Sequence, residues 1–168
     1  ASLDFSSFAG TDADEFDRSV IVHEWAHYFD FNFSRSDTPG GPHTFGDVLD
    51  PRLAFGEGGA TALAAMVLED PIYSDTVWFG PGPGPVSFGW DAETVPSPTD
   101  DPTPGPFSEL TVIRALWDLH DAGTNEPFDT ATIGLGPVHD ALVGPQRATP
   151  ALTTLASSVA GLKAQPGV

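Results

Sequence analysis

Two histidines stand four residues apart in this chain, His23 and His27, with Glu24 directly after the first. On an α-helix four residues turn through about 400° and rise about 6 Å, so both imidazoles leave the same face. That is the bite of two ligands of a tetrahedral zinc ion. Glu24 is turned about 100° from His23, which aims it past the metal at a water beside it. Zinc lowers the pKa of such a water toward about 7, and a carboxylate can take its proton as attack begins. Five residues thus supply ligands and base together. The bland alternative is a histidine pair with no metal. Against it, the motif follows Val20, Ile21 and Val22, and two histidines and a glutamate are costly to bury there without a partner.

A third ligand is needed, with one position left open to water. The metzincin pattern places a histidine at position 33 and a glycine at position 30. These are Phe33 and Asp30, so that pattern is excluded. Glu57, in "AFGEGGATALAA", is the better candidate, opening an alanine-rich helical stretch thirty residues after His27. An acid also suits a helix N-terminus for electrostatic reasons alone. Asp30, Asp37, His43, Asp47 and Asp50 stand in reserve.

Three blocks then line up: "HEWAHYFD" from His23, "GEGGAT" from Gly56 and "VIRALWDLHDAG" from Val112. In this order they resemble the gluzincin clan of zinc metallopeptidases, most of all its fungalysin and thermolysin-like branch. They fall in roughly residues 15–31, 55–69 and 108–123, less than half the chain. The resemblance implies a zincin-like core, His23, His27 and Glu57 on Zn2+, and Glu24 as base and then acid. The branch also carries a β-sheet subdomain ahead of the first helix, whose edge pairs with substrate. Only 22 residues precede His23. The expectation is therefore one metallopeptidase domain over 1–168, compact or lacking an upstream β-rich subdomain. Where thermolysin-like sequences place an aspartate four residues after the glutamate ligand, to orient a histidine, this chain has Thr61. An acceptor is then expected elsewhere, first at Asp118, next at Asp30 or Asp47. For the donor that meets the developing oxyanion the candidates are His120, Tyr73, His139 and His43. Trp25, Trp78, Trp90 and Trp117 read as core or cleft wall.

The elements that must position these groups are mostly helical. Leu3, Phe5 and Phe8 alternate with polar residues, as in a strand. A helix is expected to start near 11–15, capped by Thr11 or Asp12, with Phe16, Val20, Ile21, Tyr28 and Phe31 at helical spacing. Residues 32–55 read as loop. A second helix is expected over 57–69, stopped by Asp70-Pro71. Residues 72–79 read as a short strand. The segment 80–106 is so rich in Pro and Gly that no helix survives there, and it reads as a lid or a surface wrap. Ser108 caps a third helix with Gly123 placed to end it. Fourth and fifth helices are expected over 137–143 and 150–162. The fold class is mainly α, or α+β if an N-terminal sheet is present.

Composition narrows the function. Of 168 residues, 24 are acidic and six basic, for a formal net charge of −18. Such a surface repels nucleic acid and anionic membrane. It keeps a protein soluble and is compatible with calcium, although no Ca2+ site is expected from the spacing of its acids. With no cysteine, disulfides, thiolate metal sites and cysteine nucleophiles are excluded. No apolar run approaches the roughly 20 residues of a membrane span. The expected partner is a peptide or protein substrate, in a secreted or cell-surface setting. The leading expectation is a zinc-dependent metalloendopeptidase. Its rivals are an inactive zinc-binding or interaction domain and a metal-dependent amidase of a non-protein substrate.

Overall fold

The computed structural model describes residues 14–77, 86–123 and 131–168. The expected strand at 3–8, the caps Thr11 and Asp12, and Trp78 lie outside the described residues.

The alanine-rich stretch forms the central helix. This helix, α2 (Pro51–Leu68), starts six residues before Glu57. The Asp50 side chain accepts from the backbone N–H of Arg52, and Pro51 occupies the first turn, where its missing N–H is no loss. Asp-Pro is therefore a helix start here, and Glu57 lies in the second turn instead of opening the helix. The end is a left-handed Glu69, φ 51°, just ahead of Asp70-Pro71.

α2 is buried along most of its length, and small residues let two other helices come close. On one side Ala60 and Leu63 meet Ala26 and Phe29 of α1 (Arg18–Phe33). On the other, Ala54, Phe55, Ala62, Ala65 and Met66 pack with Leu110, Val112, Ile113, Leu116 and Trp117. Gly58 marks the tightest point. A Cβ there would lie 2.7 Å from the backbone carbonyl oxygen of Glu109 and 2.8 Å from the Val112 Cβ. Only glycine permits that approach, and it sets Glu57 beside the start of the third helix.

Within α1 the buried residues are Ser19, Val20, Ala26 and Phe29. Of the five apolar positions noted at helical spacing, only Val20 is buried. Phe16, Ile21, Tyr28 and Phe31 are exposed. The packed face is set by the small Ala26, because small side chains on both helices bring α1 against α2.

Next comes an antiparallel hairpin, β1 (Ile72–Val77) with β2 (Val86–Asp91), pairing Tyr73 with Trp90 and Asp75 with Phe88. β2 falls in the segment read as loop, where Val86, Phe88 and Trp90 alternate as a strand should. The hairpin is tied to the start of α1. Asp17 accepts from the Thr76 backbone N–H at 2.7 Å and from its hydroxyl at 3.2 Å, and Ser19 bonds the Ser74 backbone.

Ser108 caps α3 (Glu109–Trp117), accepting from the Thr111 N–H, as expected. Its hydroxyl donates to the buried Asp101 at 2.8 Å, and Asp101 also accepts from Thr111. The helix ends at Trp117, short of Gly123. α4 (Leu135–Ala141) runs into a π-helical turn, Leu142–Gln146, that contains Pro145. α5 (Leu155–Lys163) opens on a reciprocal Thr154–Ser157 cap. Both depart by a few residues from the expected 137–143 and 150–162. The described residues thus form a mixed fold dominated by five α-helices, with one two-stranded sheet. Among them no helix is long and apolar enough to cross a membrane.

Candidate metal centre

α1 and α2 bring three donors together. His23 and His27 project from one face of α1, with their Nε2 atoms 3.0 Å apart. The Glu57 Oε2 lies 3.1 Å from His27 Nε2 and 3.5 Å from His23 Nε2. Among the described residues His23, His27 and Glu57 form a group able to hold a metal ion. Ligands about 2.0–2.1 Å from a tetrahedral zinc stand about 3.3 Å from one another, so these separations fit the edges of that tetrahedron. The donor set, two imidazoles and a carboxylate, is also the one zinc takes when a position is left open.

The electrostatics agree with a cation at this point. Burial pushes the Glu57 carboxyl up, but hydrogen bonds with His23 and His27, and the charges of His27 and His43, outweigh it. They hold Glu57 well below the usual carboxylate range. The hydrogen bond to Glu57 raises His27 above its ordinary value, against the opposing effect of burial. The carboxylate thus favours positive charge on its imidazole neighbour, the sign a metal ion would bring.

His23 is oriented from behind. Its Nδ1 lies 2.9 Å from the Thr61 hydroxyl. Thr61 is buried one turn after Glu57 on α2, so a single helix face supplies both a ligand and the partner of another. With Nε2 turned to the metal, Nδ1 carries the hydrogen and donates it to the hydroxyl. The expected acceptor Asp118 is instead the C-cap of α3, its backbone N–H bonded to the Arg114 carbonyl. The place held by Thr61 fills the role without a carboxylate.

The centre opens on a cleft of about 420 Å³ lined by Glu24, His43, Tyr73, Asp75, Phe88 and Glu109, among others. Glu24 is exposed to it, on the same helix as the two histidines. His43 comes from the 34–50 loop to 3.4 Å from Glu57 Oε2. Tyr73 stands with its ring 6.3 Å from that of His23. Burial, and then the charge of Asp75, raises its phenol, which keeps it a donor. His120 is not in this cleft. Its ring packs at a tilt against Trp117 and lies 3.5 Å from Glu69. Glu69 follows Glu57 by twelve residues of helix, about 18 Å. His139 pairs with Asp140 and packs on Phe29.

The remaining reserves hold structure. Asp37 pairs with Arg35 and accepts from the Thr153 N–H. Asp47 closes a turn on Thr44, and Asp50 caps α2. Asp30 is pushed up to about 6, chiefly by burial. Asp14, Asp17 and Asp75 form a second acidic group at the cleft rim, where Asp17 anchors β1.

One residue had no signal of its own in the sequence. Glu109 reads as an ordinary acid in the first turn of α3, yet it is 3 % exposed and lines the cleft. Its Oε2 is buried with no hydrogen-bond partner. Burial pushes its carboxyl up to about 7. No protein-family model, curated protein or solved structure matches the chain, so any functional reading rests on this geometry and on the three sequence blocks.

Proposed function

We propose that the protein is a zinc-dependent metallopeptidase that hydrolyses peptide bonds. The observation that carries this is the convergence of His23, His27 and Glu57 beside an open cleft that His23, Glu57 and Glu24 line. His23, His27 and Glu57 would hold the ion, and Thr61 keeps His23 turned toward it. Bound zinc supplies Lewis acidity, which activates water and polarises a carbonyl oxygen. Glu24 takes the proton from the attacking water and returns it to the leaving amine. Tyr73 and His43 are the donors that face the cleft, where the carbonyl oxygen gains charge. A purely structural site has no use for a base at position 24 or for a cleft over the ligands.

A second reading has one observation in its favour. His43 lies close enough to Glu57 to close the site as a further ligand, which would make the domain a zinc-holding scaffold. One preparation separates the two. Protein purified without chelators should carry about one zinc per chain and cleave a mixed peptide library. Glu24→Gln should keep the zinc and lose at least about 10³-fold in kcat/KM, as the general base is removed. A zinc-loaded wild type that cleaves nothing favours the scaffold. A protein that binds no zinc overturns both.

A further inference from the structure

The cleft is one-sided in charge. Its described lining holds five carboxylates, on Asp14, Glu24, Glu57, Asp75 and Glu109. None of the chain's six lysines and arginines is in it. Glu57 is committed to the metal centre and Glu24 to the water. Glu109 has no such task. Its Oε2 is buried and unpartnered, while the residue as a whole is almost fully withdrawn from solvent. An acid placed at a helix N-terminus only for the dipole would sit in water or bond a free N–H. Leaving a carboxylate oxygen buried without a partner is costly. That cost is recovered when a cation arrives in the cleft.

The backbone that carries this side chain is also held firmly. Ser108 and Thr111 both bond to buried Asp101 and lock the first turn of α3. The Glu109 backbone is wedged against Gly58, next to Glu57. Tyr73 and Phe88 stand in the same cleft and offer apolar walls to an aliphatic stem.

We propose that Glu109 is the specificity anchor of the cleft, binding a cationic nitrogen of the peptide substrate beside the metal centre. This rests on the peptidase reading and names its substrate class. The nitrogen is either a lysine or arginine side chain or a free α-amine, which share the chemistry. The first makes an endopeptidase for basic sequences, the second an aminopeptidase.

The test uses zinc-loaded Glu24→Gln protein, so that binding is read without turnover. N-acetylated peptides that differ only in one lysine, norleucine or glutamate, moved through the positions around the centre, are titrated by calorimetry. The lysine peptide should bind roughly tenfold tighter than the norleucine one, the scale of a charge-assisted hydrogen bond. Adding Glu109→Gln should erase that difference with zinc content unchanged, and Glu109→Asp, which keeps the charge, should keep it. If preference appears only when the acetyl group is removed, the α-amine is the bound cation. No preference, or a preference that survives Glu109→Gln, overturns the inference. So does a loss of zinc on Glu109→Gln, which would assign the residue to the metal instead. Wild-type cleavage without cation preference sinks this inference and leaves the peptidase reading standing. Absence of both binding and cleavage sinks the two together.

Discussion

A hydroxyl does at Thr61 what a carboxylate would do with charge. It orients His23 through a 2.9 Å contact to Nδ1 but adds no negative charge to a centre that already holds Glu57. Replacing it with valine keeps the volume and the β-branch and removes only the acceptor. Thr61→Val should weaken zinc binding about tenfold, the low end for a lost ligand-orienting partner, and Thr61→Ser should restore most of it. Competition with a chromogenic chelator measures both; equal affinity for all three proteins would show that His23 does not depend on this contact. The two histidines and Glu24 were legible because four-residue spacing on one helix fixes their relative placement whatever surrounds them. Glu57 was legible from its surrounding "GEGGAT". Thr61 was not, since its role depends on which helix α2 faces. Glu109 was not either, because nothing in an acid at a helix start says that it will be sealed off from water.

At the scale of elements, the site depends on how closely α2 approaches its neighbours. Gly58 and Gly59 are adjacent and differ in what a methyl group would meet. At Gly58 it would strike the Glu109 carbonyl and Val112; at Gly59 it would meet nothing within 4 Å. Gly58→Ala must therefore push α3 away from α2 and should cost about 1–3 kcal/mol. Gly59→Ala should gain up to about 1 kcal/mol from helix propensity. Urea unfolding of the two variants tests the pair, and equal midpoints would mean that α2 and α3 are not in contact at residue 58. The same contact explains what could be read of the fold. Helix α3 announced itself by its Ser108 cap. β2 was hidden by the prolines and glycines around it, and the true start of α2 was hidden inside the stretch 32–55 that reads as loop. Pro is equally at home in a loop and in a first helical turn, and only the Asp50 side chain on the Arg52 N–H decides between them.

For the whole molecule, stability and metal should pull in opposite directions along the pH axis. Asp30 and Glu109 are raised to about 6 and about 7. A carboxyl raised in the folded state holds its proton where the unfolded chain has lost it, so stability falls as pH climbs from the ordinary carboxylate range to about 7. His27 is raised as well, and its contribution is complete below the unfolded histidine value and lost as pH rises through the folded one. Glu57 is lowered, so its contribution is lost only as the solution turns more acid than ordinary carboxylates. The net charge of −18 adds to the trend, since each proton taken up relieves self-repulsion. Metal-free protein should therefore be more stable at about pH 5 than at any higher pH, with its Tm falling on the order of 5 °C by pH 8. Zinc held at the proposed centre should reverse the slope. It would bind neutral imidazole and compete with a proton on His27, so its stabilisation should be small in acid and grow toward pH 8. Thermal melts from pH 5 to 8 in EDTA and in excess zinc should give curves that diverge as pH rises. A metal-free Tm that holds flat or increases to pH 8 would contradict the burial of Asp30 and Glu109. Parallel curves would show that the ion does not compete with a proton on His27, and would remove that residue from the metal centre.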